Sequence, residues 1–202
     1  MNESKIKSHA KINLSLYVLG RLKSKLHKIE SLITFIELHD EITIKKSNRN
    51  FHTIKFYGKF SKGIPKNNTI SNLLKFLDSK KLLKEKKYLL FIKKNIPQKS
   101  GMGGGSMNAA SILKYFLKKK IIKLKKNEIE KVTDFIGSDV KLGLENRSLI
   151  LNADRKVQRT KQYKKLHILI AKPNFGCSTK VIYSSLKNYS KLNFRKKNNF
   201  RI

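Results

Sequence analysis

Three observations along the 202 residues predict an α+β fold. Apolar residues recur with period two through most of the first 57 positions, which is the pattern of half-buried strands. Helical apolar spacing preceded by a capping residue begins only after residue 68. Strands and helices do not alternate regularly, as a doubly wound parallel sheet would require.

Residues 6–19, IKSHAKINLSLYVL, alternate partly and are rich in Ile, Leu and Val, so a strand is expected there up to Gly20. A basic turn leads to His27. Residues 28–37 fit a strand because Thr34, Phe35 and two isoleucines outweigh their helical spacing. Residues 41–46 and 51–57 alternate and are expected to pair with each other across Ser47–Asn50. Asn67-Asn68-Thr69 offers a cap for a helix over ISNLLKFLDSKKLL. YLLFI at 88–92 reads as a short strand stopped before Pro97. NAASILKYFLKKK reads as an amphipathic helix, 127–137 as another, and 148–157 as a strand. Arg159 to Lys165 reads as a basic linker, LHILIAK at 166–172 as a strand, and 178–189 as a helix, with a polar tail from Lys191.

The chain carries 47 basic against 13 acidic residues, a formal charge of +34. That invites a nucleic-acid reading, because clustered cations release counterions from phosphate backbones. However, 40 of the basic residues are Lys and only 7 are Arg, while Asn occurs 17 times and Ile 22 times. Codon bias toward A and T gives that profile without selection for a basic face, and base readout favours the scarce Arg fork. A nucleic-acid partner is therefore not expected, although a positive field would draw in an anionic small substrate. The lone Cys177 excludes a disulfide framework and fits a reducing, cytoplasmic setting. No apolar run approaches the ~18 residues of a membrane span, and Met1 to Ala10 lacks the apolar core of a secretory signal.

The most informative segment is Pro97-Gln98-Lys99-Ser100-Gly101-Met102-Gly103-Gly104-Gly105-Ser106-Met107-Asn108-Ala109-Ala110, which holds four of the ten glycines. It lies between a predicted strand and a predicted helix. Missing Cβ atoms allow close backbone approach, and the amides that open a helix attract an anion such as phosphate. A P-loop fails here because no Lys follows Gly105, and the dinucleotide fingerprint fails because Ser106 takes its last glycine position.

This loop resembles the P-x-x-x-G-L-G-G-G-S-S-N/D-A-A motif of the GHMP small-molecule kinases, with Met102 and Met107 as departures. SHAKINLSLYVLGR, IGSDVKLGL and KPNFGCSTKVIY resemble further segments, in the same order, of the branch that phosphorylates a cytidine-diphosphate-linked branched polyol in non-mevalonate isoprenoid synthesis. The resemblance covers nearly the whole chain. It implies an N-terminal α+β domain of the ribosomal S5 domain 2 kind over 1–158, then the start of a ferredoxin-like C-terminal domain over 159–202. That second domain is expected to be incomplete, because the family's third glycine-rich motif is absent and no glycine follows Gly176. An exposed apolar surface along 166–186 is the expected consequence.

The resemblance further implies ATP and Mg2+ as cofactors and a cytidine-diphosphate-linked small molecule as partner, in a monomer or homodimer. It assigns ATP binding to Pro97 through Asn108, catalysis to Lys11 and Asp139, and substrate binding to Asn13, His27, Thr179 and Tyr183. A carboxylate such as Asp139 can take the proton of an attacking hydroxyl, and a cation such as Lys11 can hold that carboxylate ionised. Read singly, Asp139 also fits a helix cap and Lys11 a strand edge facing water. Asn13 shares the strand face of Lys11. His27 also fits an exposed turn, Tyr183 a core aromatic, and Ser106 either a phosphate contact or a helix cap. The family's Gly-Tyr-His is Lys25-Leu26-His27 here, so Leu26 replaces a stacking aromatic. No metal-ligand set is legible. The rival expectations are another GHMP kinase, an inactive fragment and a basic nucleic-acid-binding module.

Overall fold

A computed structural model describes residues 3–22, 27–145, 147–160, 166–173, 175–176 and 179–190. Two long strands open the chain, β1 (Ser4–Arg21) and β2 (His27–Ser47), and they pair with each other. The two strands expected at 28–37 and 41–46 are thus one. Backbone contacts divide the chain into two compact units, and both long strands run through both.

The first unit comprises residues 1–10, 36–98 and 102–144. Here the later half of β2 pairs antiparallel with β4 (Lys87–Lys93), placing Ile42 opposite Ile92 and Ile44 opposite Leu90. β3 (Thr53–Tyr57) pairs with β4 in parallel, so β4 stands between β3 and β2. The expected pairing of 41–46 with 51–57 is therefore wrong. Helix α1 (Thr69–Ser79) carries the chain from β3 to β4, and a parallel pair needs such a crossover where an antiparallel pair needs only a turn.

Asn68 caps α1 as expected, accepting from the amides of Ile70 (3.0 Å) and Ser71 (3.2 Å). Helices α2 (Gly104–Lys118) and α3 (Lys126–Ile136) follow. Period-two burial on the strands meets period-3.6 burial on the helices in one core. Ile42, Ile44, Leu90 and Ile92 pack with Leu73, Leu77, Ile112 and Phe116, all buried. A short 3-10 turn, Leu142–Leu144, lies against α2.

The second unit comprises residues 11–35, 99–101 and 145–202. In it the first half of β2 pairs antiparallel with β5 (Leu149–Leu151), which pairs with β6 (Val157–Arg159). The single strand expected at 148–157 is thus a hairpin, because Asn152 to Lys156 turn: Asn152 N–H donates to Lys156 O and Arg155 adopts φ 64°. Residues 166–173 form no strand. Leu166, Ile168, Leu169 and Ile170 are exposed, and an apolar run without a paired neighbour has no ladder to hold it extended. Helix α4 (Thr179–Ser184) is shorter than the 178–189 expected. Lys25, Leu26, Cys177, the linker residues 161–165 and the tail from Lys191 lie outside the described residues.

Candidate functional site

In the first unit the glycine loop opens directly into α2. Gly103 is the residue before the helix, at φ 67°, a left-handed conformation that L side chains resist. No side chain caps the amides of the first turn, so the backbone alone presents them, and the helix dipole adds partial positive charge. Ser106 stands inside the helix and does not cap it, which removes that reading. Met102, Met107 and Asn108 are buried, so the two departures from the family motif serve as packing residues.

The start of α2 rests on its neighbours closely enough that a Cβ there would press on them. A Cβ on Gly104 would stand 3.2 Å from Ile96 Cγ2 and 3.3 Å from Lys94 Nζ. One on Gly105 would stand 3.1 Å from Thr69 Oγ1, whose hydroxyl donates to Gly105 O at 2.8 Å. The N-termini of α1 and α2 thus meet. Gln98 anchors the loop's entrance by donating to Phe60 O and Lys62 O, both at 2.8 Å. In the second unit, Lys99 (φ 51°) and Gly101 (φ 74°) are also left-handed.

Asp139 lies in the turn between α3 and the 3-10 helix. Its carbonyl accepts from Leu142 N–H (3.2 Å), and Ser138 Oγ stands 3.5 Å from its carboxylate. It caps no α-helix. Buried Ile136 before it and Val140 and Leu142 after it fix the turn to the core while Asp139 stays partly exposed.

In the second unit, Lys11 is buried and its ammonium donates to Asn13 Oδ1 at 2.9 Å. Asn13 Nδ2 donates to Ser31 Oγ (2.6 Å), and that hydroxyl donates to Ser15 O (2.6 Å). This relay sets the Asn13 amide and, through it, the lysine. The strand-edge reading of Lys11 is excluded by its burial. His27 stacks on Tyr183, with ring centroids 4.9 Å apart and planes at 25°. His27 Nε2 is buried without a hydrogen-bond partner, a cost that a polar ligand edge would remove. Thr179 opens α4, the helix that carries Tyr183.

Sequence reasoning missed three residues that shape the loop: Asp40, Lys94 and Thr69. Lys94 is hidden among forty lysines. Its position nevertheless continues the inward phase of Leu90 and Ile92, and Asp40 does the same beside Ile42 and Ile44. A charge in phase with core residues is the signal that could have found them. Among the described residues no group of three or more His, Cys, Asp or Glu stands together to hold a metal ion, and no helix is long and apolar enough to cross a membrane.

Comparison with known proteins bears on this geometry. Residues 68–146 match the family described as GHMP kinases N terminal domain. The 4-diphosphocytidyl-2-C-methyl-D-erythritol kinase of Pelagibacter ubique (strain HTCC1062) is 59% identical over 194 residues, covering 96% of this chain and 69% of that protein. The kinase of the same name from Clostridium botulinum (strain Langeland / NCTC 10281 / Type F) is 32% identical over 182 residues, covering 90% of this chain and 64% of its own length. The chain thus spans about two thirds of these relatives. Among solved structures, a 4-(cytidine 5'-diphospho)-2C-methyl-D-erythritol kinase shares the fold, with TM-score 0.60 and 19% identity over 78% of this chain and 55% of that one.

Proposed function

Because the chain belongs to the family of 4-diphosphocytidyl-2-C-methyl-D-erythritol kinases, we propose that it transfers the γ-phosphoryl group of ATP to a hydroxyl of that cytidine-diphosphate-linked alcohol. The observation that carries this reading is the backbone-only opening of α2 at Gly103–Gly105, beside the N-terminus of α1. Phosphate is the ligand for which such amides are suited.

In this reading the loop from Pro97 to Asn108 holds the ATP phosphates through backbone N–H groups. Phosphoryl transfer asks mostly for positioning and charge neutralisation. Mg2+ arriving with ATP supplies part of that neutralisation when bound. Asp139 accepts the proton of the attacking hydroxyl, and a carboxylate held by a fixed turn suits that task. Lys11, oriented through Asn13 and Ser31, contributes a fixed positive charge to the reacting groups. His27 offers a polar edge to the cytosine base and Tyr183 a ring face, with Asn13 and Thr179 completing the substrate contacts. Residues 1–158 form the ATP-binding domain and 159–202 begin the second. A cytoplasmic location and a monomeric or homodimeric state belong to the same reading.

The test is direct. The chain is incubated with ATP carrying a labelled γ-phosphoryl group, Mg2+ and the cytidine-diphosphate-linked alcohol. Label appearing in the alcohol supports the proposal; label appearing only in free phosphate contradicts it.

A further inference from the structure

A carboxylate that the mechanism does not use lies beneath the glycine loop. Asp40 is fully buried on β2, in phase with Ile42 and Ile44. It accepts four hydrogen bonds. The amides of Asn95 and Ile96 donate to Oδ1, both at 2.8 Å. Asn108 Nδ2 donates to Oδ2 at 2.9 Å, and the Lys94 ammonium donates to the same oxygen.

These partners are not scattered. Asn95 and Ile96 are the residues by which the chain enters the loop, just before Pro97. Asn108 lies on the first turns of α2, by which the chain leaves it. Lys94 Nζ is the atom that a Cβ on Gly104 would meet at 3.3 Å. One carboxylate therefore ties both stems of the loop and sets the cation under its helix start. Stability is a weak reason for such a pair, because burying two charges costs about as much as their attraction returns. Asn108 reinforces the point. It is 1% exposed and its Oδ1 has no hydrogen-bond partner, so its amide is oriented by Asp40 at the expense of its own carbonyl.

We propose that Asp40 is a positioning residue for nucleotide binding: it closes the base of the glycine loop and so pre-organises the amides of Gly104 to Ser106. The inference rests on the reading of the loop as the ATP site. Pre-organisation works by removing the ordering cost that a loose loop would impose on its ligand. Removing the Asp40 charge should therefore loosen the loop before any ligand is added, and weaken ATP without weakening the other substrate.

The experiment uses the 202-residue chain and its Asp40→Asn variant. Because that variant leaves Lys94 as a buried cation without its counterion, Asp40→Asn/Lys94→Met is measured beside it. Three quantities are read: amide hydrogen exchange over residues 107–110, the first hydrogen-bonded amides of α2, without nucleotide, ATP affinity, and affinity for the cytidine-diphosphate-linked alcohol. The inference expects at least a tenfold faster exchange and at least a tenfold weaker ATP affinity in whichever variant folds, with alcohol affinity unchanged. Exchange and ATP affinity as in the wild type would overturn it. So would a double variant that regains both along with stability, since that is the behaviour of a structural ion pair. Failure of the wild-type chain to bind ATP at all would instead overturn the reading of the loop, and the inference with it.

Discussion

Replacing Gly143 by Ala tests how the turn bearing Asp139 is held. A Cβ at position 143 would stand 2.6 Å from Ala110 Cβ, 3.0 Å from Met107 Sδ and 3.2 Å from Met107 Cε. Carbon atoms in good contact lie about 3.5–4.0 Å apart, so about 1 Å of separation must be found. The Met107 thioether can rotate away, but Ala110 Cβ is fixed to the backbone of α2. The 3-10 turn or the helix must therefore shift. Overpacking of this kind costs about 1–3 kcal/mol. For a chain of this size that corresponds to a fall of roughly 2–12 °C in Tm. The shift also reaches the chemistry, because Asp139 O accepts from Leu142 N–H in the turn that moves. A misplacement of about 1 Å can cost on the order of a hundredfold in rate. The assay is thermal unfolding and ADP formation for Gly143→Ala, Ala110→Gly and the double variant. Ala110→Gly removes the methyl that is struck, so the double variant should recover most of the loss, less the ~1 kcal/mol a mid-helix glycine costs. A Gly143→Ala protein with unchanged Tm, or strictly additive effects in the double variant, would refute the packing argument.

Three other outcomes are expected. Asp139→Asn keeps the shape and removes the base, so turnover should fall by about 10²–10⁴-fold while ATP affinity is retained; equal loss of ATP binding would show a structural role. Tyr183→Ala removes one ring of the His27 pair and should raise KM for the cytidine substrate about 5–150-fold, the equivalent of ~1–3 kcal/mol of lost stacking, with KM for ATP unchanged. Burial pushes the His52 imidazole below its ordinary 6.5, with Asp78 opposing that shift, and Tyr88 N–H donates to His52 Nδ1 at 3.0 Å, which requires that nitrogen unprotonated. The unfolded chain then binds the proton more readily than the folded one, so stability should drop as pH falls through 6.5. Urea midpoints of the wild type and His52→Asn, compared at about pH 7.5 and 5.5, should show a steeper acid loss in the wild type; a shallower one would contradict the sign.

Local chemistry was legible wherever one residue decides the structure. Asn68 announces α1 because a side-chain acceptor before an apolar helix has few other uses. The glycines announce the loop, since Gly103 is left-handed and a Cβ on Gly104 or Gly105 would press on neighbouring side chains. Pairing was less legible. Residues 53–57 carry the same alternation whether their neighbour is β2 or β4, and only the crossover through α1 decides it. The turn at Asn152–Lys156 had its signal in Asn152 and Asp154, overridden by the apolar residues around it. LHILIAK shows the opposite error, in which apolar composition stood in for a partner strand that the described residues do not supply. Lys11 and Asn13 stood out as polar residues on an apolar strand. Asp40 and Lys94 needed the register, because only the fold shows that two charges in core phase meet.

The central claim is phosphoryl transfer from ATP to the cytidine-diphosphate-linked alcohol. The most direct measurement is ADP release from ATP and Mg2+ by the 202-residue chain, with and without 4-diphosphocytidyl-2-C-methyl-D-erythritol. The account predicts release that depends on that alcohol and saturates with it. Release at the same rate without the alcohol, or none with it, would contradict the account.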